Sequence, residues 1–160
     1  MKIYLVDYIG MHCGMHYYND AFCRVLSAIP GLDISVLSNY ADKNTNKPFF
    51  LHQYKGCKLR KICCLLWNYL MLLGFVLRNR KSCFIYLTYG NSIDLPFMYI
   101  VSLAGKSIID IHEAIAQNVD DNADLKRRFK KIYSERIKSV IVHSQRTNDL
   151  LDEYGYGGVR

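Results

Sequence analysis

Six short apolar runs punctuate this chain, and what lies between them most constrains its fold. They are Lys2 to Val6, Asp33 to Leu37, Phe49 to Tyr54, Cys83 to Leu87, Ser107 to Ala114 and Ser139 to His143. A continuous apolar run of this length, closed off by polar groups, reads as a strand buried on both faces. The third run is the weakest of the six. Helix-period segments separate most of them. Tyr18, Ala21, Phe22, Val25, Leu26 and Ile29 share one helical face before Pro30-Gly31. Ile93 to Ala104 reads as a helix with Pro96 in its first turn, and Gly105 stops it. Leu125 to Lys138 is a basic amphipathic helix with Leu125, Phe129, Ile132, Tyr133 and Ile137 inward, and Ser144 to Tyr154 is the last. Strands alternating with helices predict an α/β fold, a doubly wound parallel sheet of order 3-2-1-4-5-6 flanked by helices.

Length and composition agree with one folded domain. The chain has 160 residues, 51% of them hydrophobic and 22% charged, which excludes an intrinsically disordered protein. It shows no repeat and no internal linker. The net charge of +7 favours an anionic partner, whether nucleic acid, a phosphate-bearing ligand or an anionic membrane surface. None of the six cysteines forms a CxxC pair, and Asp7 interrupts the N-terminus before a signal-peptide core develops. Reduced thiols in a cytoplasmic protein are the simplest reading.

The segment Ile62 to Leu77 is nearly all apolar, broken by Asn68 and flanked by Arg60-Lys61 and Arg78 to Lys81. A spanning helix needs about 20 apolar residues, so this run is short for one. It is a helix either buried on the sheet or lying at a membrane interface.

In the predicted topology, ligands bind beyond the carboxyl ends of the first and fourth strands. Three loops meet there: Tyr8 to His16, Thr88 to Asn91, and His112-Glu113. The candidate substrate-binding residues are therefore Gly10, His12, Gly14, His16, Gly90, Asn91 and Glu113, with Ser144 and Arg146 further along the same edge. Glycines let a ligand approach the backbone, and a helix N-terminus near His16 suits an anionic or polyhydroxylated ligand. His112, at the end of SIIDIHEA, is the candidate catalytic residue, able to donate to a substrate hydroxyl or stabilise developing charge. It is equally readable as a histidine that only hydrogen-bonds a neighbouring loop. His12, Cys13 and His16 form an HCxxH cluster without an obvious fourth ligand, so no metal site is expected there. YIGMHCGMH has the spacing of neither a GxGxxG nor a Walker loop, and no cofactor is expected. The basic helix KRRFKKIYSERIK reads as a solvated face, and no aromatic spacing of an RNA-binding kind accompanies it, so nucleic acid is not an expected partner.

With these residues assembled, the chain resembles the N-terminal domain of family 4 glycosyltransferases, which have the GT-B fold. AGKSIIDIHE, Ala104 to Glu113, is similar to that family's Gly-Lys turn, buried strand and terminal His-acidic pair. SERIKSVIVHSQRTNDLLDEYG, Ser134 to Gly155, is similar to its helix, serine-terminated strand and glycine-terminated helix. The glycine-bearing first loop is the third likeness. Glu113 stands where aspartate is usual, and Gly10 and Gly14 stand apart where many members carry adjacent glycines. The resemblance implies a Rossmann-like domain forming one half of a GT-B transferase. It would bind a glycan or lipid-linked acceptor, with His112 facing a sugar from a nucleotide-sugar donor. The donor would be held mainly by a second domain that this chain does not contain, so the 160 residues alone are expected to be inactive. A cytoplasmic location, peripheral at the inner face of the membrane, is implied with it. The alternative is a stand-alone flavodoxin-like binding module without catalysis.

Overall fold

A computed structural model of the chain describes residues 1–12, 14–41, 47–52, 55–112 and 122–160, His12 by its backbone alone. Five strands and five α-helices follow one another: Lys2–Asp7 (β1), His16–Ser27 (α1), Asp33–Ser38 (β2), Lys58–Arg78 (α2), Cys83–Thr88 (β3), Asp94–Val101 (α3), Lys106–Ile111 (β4), Ala123–Glu135 (α4), Val140–Val142 (β5) and Gln145–Glu153 (α5). All strand pairs are parallel and the sheet order is β2-β1-β3-β4-β5. The result is an α/β fold compatible with a Rossmann-like sheet, and its order reverses between β1 and β3.

The predicted third strand is absent from the described residues 49–52, and the sheet has five strands among the described residues where six were expected. Its backbone is satisfied elsewhere. Phe49 and Phe50 both donate to the Ser38 carbonyl, at 2.8 and 3.0 Å. The Asn68 side-chain amide then takes the place of a neighbouring strand, accepting from the Leu51 N–H at 2.8 Å and donating to its carbonyl at 3.0 Å. The polar interruption in the apolar helix is thus what anchors this segment.

Two apolar clusters lie on the two faces of the sheet. On one, Tyr4, Val6, Phe84, Tyr86, Ile109, Ile111 and Val140 meet residues of α2, α3, α4 and α5. Phe97 is fully buried at its centre, with ring contacts to Tyr8, Phe50, Tyr69 and Tyr86. On the other, Ile3, Leu5, Ile34, Val36, Cys83, Ile85 and Leu87 are covered by α1.

The inner face of α1 differs from the one periodicity predicts. Val25 and Ile29 are 69% and 48% exposed, while Met15, Tyr18, Phe22, Cys23 and Leu26 face the sheet. The helix turns about a buried polar residue, Asn19, whose amide reaches Asp7. A hydrophobic count passes over that anchor. α2 is also longer than its apolar run and, at 21 residues, is long and apolar enough to cross a membrane by length and composition. It buries Asn68, Leu72 and Val76, and leaves Leu59, Ile62, Leu66, Trp67, Leu70 and Leu77 exposed.

Candidate functional site

Strand register explains where the polar residues gather. Side chains alternate across a strand, so Ile3, Leu5 and Asp7 share the α1 face of β1, and Cys83, Ile85 and Leu87 share that of β3. Leu87 pairs with Asp110, and Asp110 with Ile141. One residue beyond the pairs Thr88–Ile111 and Ile111–Val142, register brings Tyr89, His112 and His143 side by side. The α1 face is therefore apolar along the strands and turns ionisable over its last two rows, at the carboxyl edge where α/β sheets bind ligands.

Asp110 is fully buried at the centre of this group. His143 Nε2 donates to its Oδ1 at 2.6 Å, and Tyr18 of α1 donates to its Oδ2 at 2.7 Å. His112 Nε2 lies 3.8 Å from the same Oδ2 and is itself buried without a hydrogen bond among the described residues. The His112 ring stacks on His143 with centroids 5.0 Å apart and meets Tyr18 edge-on at 4.5 Å. Asp7 forms a second centre. It accepts from the Ile9 and Gly10 N–H groups, from Asn19 at 2.7 Å and from the Tyr89 hydroxyl at 2.9 Å. Tyr89 in turn faces the His112 ring at 6.2 Å, so the ends of β1, β3, β4 and β5 are joined through side chains.

Electrostatics favours a neutral His112. Burial is the largest influence and pushes its pKa down; Asp110 pulls it up, His143 down again and Asp7 up, for a net lowering. A neutral imidazole has one nitrogen with a free lone pair, and can accept a proton or polarise a hydroxyl. The Tyr18 phenol is pushed well above its ordinary range by burial and by its bond to Asp110, which makes it a fixed donor.

The sequence-derived candidates do not all gather at one place. His112 sits where expected, just past the end of β4. Gly10 (φ +48°) and Gly90 (φ +69°) require glycine by conformation. The space a Gly10 side chain would enter is filled by Ser38 and Asn39, so the backbone there is approached by the β2 end, not by open crevice. Asn91 is occupied in its own loop, accepting from Ile93 N–H at 2.9 Å and donating to the Tyr8 hydroxyl at 3.0 Å. Ser144 is the N-cap of α5, accepting from Thr147 N–H at 3.2 Å, and Arg146 is exposed in the first turn of that helix. Gly14 precedes α1, and His16 opens it with its ring against Tyr17 at 3.9 Å. Glu113, the His12 side chain and Cys13 lie outside the described residues.

Asp110, His143, Tyr18 and Asp7 were not among the candidates. The signal for Asp110 was present: in DIH, a carboxylate two residues before a histidine on a strand shares its face. His143 closes the next strand in the same way. Two surface hollows lie elsewhere, one lined by Leu95, Pro96, Tyr99, Arg128 and Lys131, the other at the opposite sheet edge around Lys106 and Arg136. Neither contains the converging histidines and carboxylates of the carboxyl edge. No protein-family model, curated protein or solved structure matches the chain.

Proposed function

We propose that the chain is the acceptor-side, Rossmann-like domain of a GT-B glycosyltransferase that moves a sugar from a nucleotide-sugar donor to a glycan or lipid-linked acceptor. The observation that carries this reading is the buried Nε2 of His112, unbonded among the described residues at the end of β4 and backed by a buried carboxylate. A hydroxyl or developing charge placed there meets a neutral imidazole set among the rings of Tyr18, Tyr89 and His143. The reading requires a donor-binding domain joined to this one. It is tested by expressing the coding sequence continued past Arg160 and assaying transfer from a panel of nucleotide-sugars. Sugar transfer or donor hydrolysis above background supports it; a stop codon there, or an α/β partner domain without either activity, contradicts it.

The same reading includes peripheral attachment to an anionic membrane. The exposed apolar stripe of α2 has Lys58, Arg60 and Lys61 at one end and Arg78, Arg80 and Lys81 at the other, all exposed. Each cation near such a surface contributes about 1 kcal/mol. Sedimentation with phosphatidylglycerol vesicles, lost in Trp67→Ser and absent with phosphatidylcholine, is the expected result. Equal sedimentation of the variant removes α2 from the contact.

One observation favours a second reading. The order β2-β1-β3-β4-β5 is that of flavodoxin-like sheets, which bind ligands at the same β1/β3 switch point. A non-catalytic binding module of that kind would hold a small anionic ligand without any second domain.

A further inference from the structure

We propose that Asp110, His112 and His143 form a binding site for a divalent first-row transition metal ion, with zinc the best fit. The inference does not require sugar transfer, but an ion here would occupy the His112 Nε2 that the transferase reading leaves open to substrate, so metal binding and direct contact of that atom with a hydroxyl exclude each other.

One oxygen and two nitrogen donors, each from a different side chain, lie within 4.8 Å of one another. Both histidine Nε2 atoms lie near the same carboxylate, 2.6 Å from Oδ1 for His143 and 3.8 Å from Oδ2 for His112. An ion with bonds of about 2.0–2.2 Å holds tetrahedral ligands about 3.3–3.6 Å apart. The observed separations lie on both sides of that value, so side-chain shifts on the order of 1 Å close the set. The backbone needs no change, because sheet register already places the ends of β4 and β5 together.

Three further features match a metal centre. The Tyr18 hydroxyl holds the ligating carboxylate from behind at 2.7 Å, the outer-shell support such ligands usually have. His112 Nε2 is a buried polar atom with no partner among the described residues, and an ion would give it one. His143 has a side chain 41% exposed, leaving an approach and an open coordination position toward the crevice. Two imidazoles with one carboxylate select zinc or a neighbouring transition ion over magnesium or calcium, which prefer all-oxygen sets. The sequence alone led to an expectation of no metal site, argued from HCxxH; a site at Asp110, His112 and His143 departs from it on a different set of residues.

The test is titration of the full chain with Zn²⁺ near neutral pH against a chromophoric chelator, with Co²⁺ as the spectroscopic probe. The expected result is one ion per chain. Affinity should fall at least about 100-fold in His143→Ala and in Asp110→Asn, and about 10-fold in Tyr18→Phe, which removes only an outer-shell bond. Cys13→Ser and His16→Ala should bind as the wild type does. His143 is exposed, so His143→Ala is expected to stay folded, and circular dichroism checks that it does. The Co²⁺ spectrum should show d–d bands without a thiolate charge-transfer band. Absence of binding overturns the proposal, as does affinity unchanged by His143→Ala or a thiolate band lost in Cys13→Ser.

Discussion

The two faces of the sheet both bury carboxyl groups, and they use them in opposite ways. On the face covered by α2, α3 and α4, Asp94 at the start of α3 is fully buried: its oxygens accept from the Tyr86 hydroxyl at 2.6 Å and from the Tyr89 and Asn91 N–H groups at 3.0 and 2.9 Å. Those partners lie within β3 and the turn leading from it, and the group pins that turn. Under α1, Asp110 is equally buried, yet two of its neighbours are histidines at the open edge. The first carboxyl closes a network inside the fold; the second extends one outward. Burial alone therefore does not single out a candidate site. What distinguishes the proposed one is that its carboxyl has histidine partners at the open edge.

Substitutions separate the two faces most sharply on stability. Phe97→Ala, at the hub of the aromatic cluster, should cost about 3–5 kcal/mol, read from urea unfolding. A cost below about 1 kcal/mol would mean that the aromatic face is not the principal core. Asp94 provides a pH signature. Burial pushes its pKa up to about 6, against the hydrogen bonds that lower it. The stability this contributes is fully present below the unfolded value near 4 and is lost as pH rises through about 6. The Asn variant lacks that titration, so wild type should lose about 2–3 kcal/mol relative to Asp94→Asn between pH 4 and pH 7. Parallel profiles would contradict the assignment. Tyr18→Phe on the other face should cost about 1–2 kcal/mol by leaving Asp110 short of a donor. The smallest effect belongs to His112→Ala, within about 1 kcal/mol in unfolding, because its Nε2 makes no hydrogen bond among the described residues.

The strands were legible because each is a continuous apolar run closed by a polar residue, and five of the six runs contain a strand among the described residues. The run at Phe49 failed for a reason its own residues do not carry: its hydrogen-bond partners are the Ser38 carbonyl and the Asn68 amide, supplied from β2 and α2. The face of α1 was misread at Val25 and Ile29 because a buried polar contact, Asn19 to Asp7, sets the helix rotation. Of the site, His112 was readable from its place at a strand end. Its partners were not, since Asp110 reads as one polar break in an apolar strand and His143 as the end of another. Only the pairing of β4 with β5 makes them one group.

The central claim is that the carboxyl edge of the α1 face is where this protein works, with His112 at its centre. Transfer by His112→Ala in the protein carrying both domains, measured beside its melting temperature, tests it most directly. The account predicts turnover lowered about 10²- to 10³-fold with melting unchanged within about 2 °C. Undiminished turnover in a folded His112→Ala protein would contradict it.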